Sequence, residues 1–91
     1  GKVIRLSIPA LTEERRKELV KVVKKMSEES KVNIRNIRRD ANEQLKDLKK
    51  DNTLSEDELF RHQEEVQKVT NKYIEKVDQV LAMKEKEIME I

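Results

Sequence analysis

No glycine or proline occurs after Pro9, so the chain from residue 10 to residue 91 lacks the residues that most often interrupt a helix. Charged residues make up 44% of the composition and aromatic residues only 2%, which is typical of long helices with charged surfaces. The same composition disfavours a β-sandwich or a β-barrel. We therefore predict an all-α fold for most of the chain.

Two helix-start signals divide this region. Thr12 is a predicted N-cap, and it is followed by two glutamates where the helix dipole favours negative charge. Ser55-Glu56-Asp57-Glu58 has the spacing of a capping box, and it follows the polar cluster Asp51-Asn52-Thr53. These signals predict helices over about 13–50 and about 55–91, joined by a turn at about 51–54. A short connection between two long helices predicts an antiparallel helical hairpin.

The beginning of the chain has a different pattern. Ile4, Leu6 and Ile8 alternate with polar residues before Pro9, which predicts a short strand. A single strand is not stable alone in water, so we expect its sheet partners to lie outside this sequence.

Each predicted helix carries a wide apolar stripe. On the first helix the stripe contains Leu19, Val22, Val23, Met26, Ser30, Ile34, Ile37, Ala41, Leu45 and Leu48. On the second it contains Val66, Val69, Tyr73, Ile74, Val77, Val80, Leu81, Ile88 and Ile91. Stripes of this width are typical of helices that pack against two neighbours rather than one. We therefore expect another chain to complete the core, most simply a second copy that forms a two-fold homodimer.

Charge is distributed unevenly between the helices. Residues 13–50 contain 13 basic and 8 acidic side chains, whereas residues 51–91 contain 6 basic and 11 acidic ones. Helical spacing predicts a row of basic side chains on the first helix, opposite its apolar stripe, and Asn42 lies among them. The residues of this row are Lys21, Lys24, Lys31, Arg35, Arg38, Arg39, Lys46 and Lys49. Such a row can bind RNA phosphates, but the residues alone favour the alternative, a solvated surface of a structural coiled-coil module.

The sequence offers no catalytic or metal-binding constellation. There is no cysteine, and the only histidine, His62, has no nucleophile or second histidine at a useful spacing. We expect no enzymatic activity, no cofactor and no metal. No apolar run approaches the length of a membrane span, and the first residues do not resemble a secretory signal, so we expect a protein that does not associate with membranes.

Four blocks of the sequence resemble ribosome recycling factors, in order and at matching spacing. The first block is residues 9–19, PALTEERRKEL, and the second is residues 35–42, RNIRRDAN. The third is residues 65–70, EVQKVT, and the fourth is residues 84–89, KEKEIM. The resemblance extends from about Ile4 to Ile91 and covers the C-terminal half of a family member.

This resemblance implies a fold, a function and a set of site residues. The family has a three-helix bundle with an inserted β domain, so residues 1–9 are expected to be the last strand and hinge of that domain, and residues 10–91 two helices of the bundle. Family members act in the cytoplasm with elongation factor G to split the post-termination ribosome, and their bundle lies on large-subunit RNA. The RNA-binding residues that the resemblance implies are Arg35, Arg38 and Arg39, with Arg38 foremost. Lys31, Asn42 and Lys46, from the basic row of the same helix, complete the predicted RNA-binding set.

Overall fold

The computed structural model describes residues 12–90, which contain two α-helices and no strand. Helix α1 spans Glu13–Lys50 and helix α2 spans Glu56–Met89. The two helices pack against each other as an antiparallel hairpin, which confirms the predicted fold class. The strand predicted between residues 3 and 8 lies outside the described residues.

Local hydrogen bonds begin both helices where the sequence predicts. The hydroxyl of Thr12 accepts a hydrogen bond from the backbone N–H of Arg15 at 3.0 Å. At α2, the Ser55 hydroxyl accepts from the Glu58 N–H at 3.1 Å, and the Glu58 carboxylate accepts from the Ser55 N–H at 3.0 Å. Both predicted N-caps and the capping box are therefore confirmed.

The end of α1 turns the chain by a local backbone arrangement. Asn52 has a φ of 61°, the left-handed region that asparagine tolerates better than most residues. The N–H groups of Asn52 and Thr53 donate to the carbonyl oxygens of Lys49 and Leu48, at 3.0 and 2.9 Å. These two bonds form a Schellman motif, which satisfies carbonyl groups that the end of a helix leaves open. The hairpin turn is therefore determined by residues within a few positions of it.

The contact between the helices contains polar as well as apolar side chains. Three polar residues are buried among the described residues, namely Arg16, Ser27 and Thr70. The Ser27 hydroxyl donates to the Lys24 carbonyl and the Thr70 hydroxyl to the Val66 carbonyl, at 2.8 and 2.7 Å. Because each hydroxyl is satisfied within its own helix, it can lie between the helices without an unpaired polar group.

One side of the hairpin is an open apolar groove. In the described part of the chain, Leu59 is the single apolar side chain that is buried, at 8% exposure. Two cavities of about 700 and 480 Å³ follow one another along the helices, and Ile34 and Tyr73 line both of them. The groove is lined by several large apolar residues that remain exposed, namely Met26, Ile37, Leu48, Val69, Tyr73 and Val80. The apolar stripe of each helix therefore contacts the other helix with part of its width and leaves the rest open to a further neighbour, as its width predicts.

Candidate nucleic-acid interface

Half of the predicted RNA-binding residues project freely from α1. Arg35, Arg39 and Lys46 are exposed, and none of them lines the groove. Lys46 lies 3.9 Å from the carboxylate of Glu43 one turn earlier, which is an exposed pair that solvent weakens. Within residues 12–90, Arg35 and Arg39 take part in no ion pair. Their guanidinium groups are therefore available to an external anion.

Arg38 is placed differently from the sequence prediction. We expected its side chain opposite the apolar stripe, but it is half-buried and lines the wider cavity of the groove with Thr70 and Val66 of α2. No carboxylate of the described chain pairs with it. Arg38 is thus partly shielded at the groove, an arrangement that limits the freedom of its guanidinium without neutralising it.

The predicted placement of Lys31 is wrong. Its ammonium group forms an ion pair with Asp78 of α2 and a longer one, of 3.5 Å, with Glu28. The side chain is only 15% exposed, and the hydrogen bond to Asp78 raises the pKa of Lys31 above its ordinary value. Lys31 therefore joins the two helices instead of projecting from the opposite face, and part of its charge is already balanced.

Asn42 is also less exposed than the sequence predicts. Its side chain is half-buried, and its Oδ1 atom is shielded from solvent with no hydrogen-bond partner among the described residues. Lys31, Arg38 and Asn42 therefore form an inner row beside α2. Arg35, Arg39 and Lys46 form an outer row in solvent. We call these six residues together the basic face.

One residue at the open end of the hairpin was not identified from the sequence as a contact between the helices. Arg16 is 8% exposed and its Nη1 atom donates to the carbonyl oxygens of Ile88 and Glu90, at 2.8 and 2.6 Å. A buried cation at a helix C-terminus satisfies open carbonyl groups and interacts favourably with the helix dipole. The signal available in the sequence was the spacing of Arg16, Val20, Val23 and Ser27, which places an arginine in line with the helix contact.

The remaining polar groups do not form a reactive site. His62 is half-buried at the groove and its Nδ1 atom lies 3.0 Å from a carboxylate oxygen of Glu65. The ammonium of Lys76 lies 5.9 Å from the centre of the Tyr73 ring. Across the described residues there is no cluster of three or more side chains suited to a metal ion. Neither α1 nor α2 contains an apolar stretch long enough to span a bilayer.

Comparison of the sequence with known proteins identifies a family. The family model described as ribosome recycling factor matches residues 1–89. The chain belongs to the ribosome recycling factor family. The ribosome-recycling factor of Symbiobacterium thermophilum is 69% identical over the full chain, and the chain covers 49% of that protein. Those of Syntrophobacter fumaroxidans and Bacillus subtilis are 66% and 62% identical, again over the full chain and 49% of the relative. The chain therefore spans about half the length of these ribosome-recycling factors, and the resemblance seen in the four sequence blocks is confirmed.

Proposed function

We propose that this chain carries part of the ribosomal-RNA-binding surface of a ribosome recycling factor. The protein to which it corresponds would bind the post-termination ribosome and, with elongation factor G, separate the subunits. The supporting observation is the basic face, where Arg35, Arg38 and Arg39 have no carboxylate partner within residues 12–90. Unpaired guanidinium groups on one helix suit the phosphate spacing of an RNA backbone.

The proposed binding is non-catalytic and occurs in the cytoplasm. The basic residues of this face contact large-subunit RNA and Asn42 lies among them, with Arg38 contributing most because its partly shielded stem loses less freedom on binding. Lys31 contributes least, since its ammonium is already held by Asp78. In the same proposal, residues 1–9 form the end of the β domain and its hinge, and residues 10–91 belong to the helical bundle.

A binding experiment with purified large ribosomal subunits tests the role of Arg38. We expect Arg38→Ala to weaken binding about tenfold, because a guanidinium–phosphate contact is lost. We also expect the slope of log affinity against log salt to fall by about 0.7–0.9 for each phosphate contact removed. Co-sedimentation at several salt concentrations measures both quantities.

Arg61→Ala is the matched control, because Arg61 is an exposed arginine on α2 outside the basic face. This variant should bind as the wild type does. Equal binding by wild type, Arg38→Ala and Arg39→Ala would contradict the proposal and favour a structural helical module with a solvated basic face. The ion pairs of Lys31 and Lys46 are the observations that favour this alternative function as a structural module.

We propose in addition that the 91-residue chain alone associates as a homodimer through the groove. A second copy would cover the exposed apolar side chains from Met26 to Val80 and produce a four-helix bundle. In the longer relatives the additional helix of the three-helix bundle would occupy the same side. Support for the dimer is the length of the groove, because an uncovered apolar surface along both helices favours association.

A further inference from the structure

The carboxamide of Asn42 lies in the inner row of the basic face. Its Oδ1 atom is shielded from solvent and accepts no hydrogen bond from any residue between Thr12 and Glu90. A buried acceptor without a donor costs free energy, and such groups are rare in native proteins. A donor that reaches this oxygen during function would remove that cost.

Several other donors of the hairpin are already used. The Thr70 hydroxyl donates to the Val66 carbonyl at 2.7 Å, and the Gln67 amide donates to the Asn71 side chain at 2.8 Å. Lys46, one turn after Asn42, lies near the carboxylate of Glu43. These side chains would have to give up an existing contact before they could donate to Asn42.

Arg38 is the donor best placed to serve Asn42. It precedes Asn42 by four residues, so the two side chains occupy the same face of α1 on consecutive turns. Both are half-buried. The guanidinium has several N–H donors in one plane, so one edge can hold a phosphate while another N–H donates elsewhere. Within the described chain, that guanidinium is not engaged by a carboxylate.

We infer that Asn42 is a positioning residue whose carboxamide oxygen accepts a hydrogen bond from the guanidinium of Arg38 while Arg38 holds an RNA phosphate. The inference rests on the proposed RNA-binding function and assigns Asn42 an indirect part in it. Asn42 fixes the plane of the guanidinium, and Arg38 makes the phosphate contact. Affinity then depends on Asn42 only when an arginine is present at position 38.

A double-mutant cycle with purified large ribosomal subunits tests this dependence. We expect Asn42→Ala to weaken binding about tenfold, because a charge-assisted hydrogen bond no longer orients Arg38. In the Arg38→Ala background, the same substitution should produce no further loss. Asn36→Ala is the matched control, because Asn36 is a half-buried asparagine of α1 at a different angle around the helix, and it should bind as the wild type does.

Thermal unfolding distinguishes a positioning role of Asn42 from a structural role. Removing an unsatisfied acceptor and introducing a better helix former should leave the melting temperature of Asn42→Ala unchanged or raise it. A lowered melting temperature would show that Asn42 bonds to another helix residue, such as the half-buried Gln63, and would overturn the inference.

The binding data distinguish failure of the inference from failure of the proposed function. If the losses from Arg38→Ala and Asn42→Ala multiply in the double variant, Asn42 acts independently and only the inference is overturned. If Arg38→Ala binds as tightly as the wild type, the proposed role of Arg38 fails and the inference fails with it.

Discussion

At the scale of single residues, the charged groups that matter to folding are those whose partners are fixed by the backbone. Glu58 is an example, because its carboxylate accepts a hydrogen bond from the Ser55 N–H at the start of α2. That backbone hydrogen bond, together with the one involving the Ser55 side chain, lowers the pKa of Glu58 below its ordinary value. A carboxyl group with a lowered pKa in the folded state stabilises the fold above its unfolded pKa and loses that contribution as the pH falls through its folded pKa.

A pH series on Glu58→Gln checks this contribution. We expect the variant to melt at a lower temperature than the wild type at pH 7, because the glutamine lacks the charge that favours the helix N-terminus. The difference should shrink as the pH falls below the ordinary glutamate pKa of 4.5. Glu64→Gln is the control, since Glu64 is exposed on α2 beyond its first turn. A difference that stays constant from pH 7 to pH 3 would contradict the assignment.

At the scale of the helices, α2 is held at its two ends by different groups. The capping box holds its beginning, and Arg16 of α1 binds the carbonyl oxygens of Ile88 and Glu90 at its end. The first contact is local in sequence, whereas the second joins residues more than seventy positions apart. A buried side chain of α1 therefore joins the two helices at the open end of the hairpin.

Substitution of Arg16 tests the importance of that contact. Arg16→Ala should lower the free energy of unfolding by about 2–3 kcal/mol, because two part-buried hydrogen bonds from a charged donor are lost. Arg15→Ala is the neighbouring control, since the Arg15 side chain is exposed and its ion pair with Glu18 is exposed as well, and it should cost less than about 1 kcal/mol. Urea unfolding at one fixed protein concentration gives both values. Equal losses of unfolding free energy would show that the buried Arg16 contact stabilises the fold no more than the exposed Arg15 pair does.

The helices were predictable from the sequence, but the orientation of the basic face was not. The starts at Thr12 and Ser55 depend on residues within one turn, so local patterns reveal them. An apolar stripe on α1 that is wide enough for two neighbouring helices does not show which of its edges contacts α2. Lys31 and Arg38 lie at the edge that packs there, next to buried polar residues that an apolar pattern overlooks. The unpaired oxygen of Asn42 likewise depends on packing that no spacing rule contains.

At the scale of the whole molecule, the two helices pack against each other along one line and leave one side of the hairpin open. Ile37 is 67% exposed on that side, and the groove continues past it in both directions. Two helices cannot enclose a core by themselves, because each covers only the part of its partner that it touches. The proposed dimer follows from this geometry and remains a prediction.

Charge placed in the groove should prevent the association. We expect Ile37→Lys to shift the chain toward monomer at micromolar concentration, because burying an unpaired ammonium is unfavourable. Val32→Lys is the matched control, since Val32 is 50% exposed on α1 and does not line the groove. Sedimentation velocity measures the molar mass of each variant. A folded wild-type monomer at the same concentration would contradict the dimer.

The hydrogen bonds at the two extremities have a consequence for amide exchange with solvent. Helix ends ordinarily fray, and their amide protons exchange first. Here the Schellman motif and capping box stabilise the turn, and Arg16 stabilises the opposite extremity. Neither end can open without breaking a tertiary or capping contact. The last turn of α2 should therefore exchange its amide protons more slowly than a free helix end does, and both helices should separate as one cooperative unit.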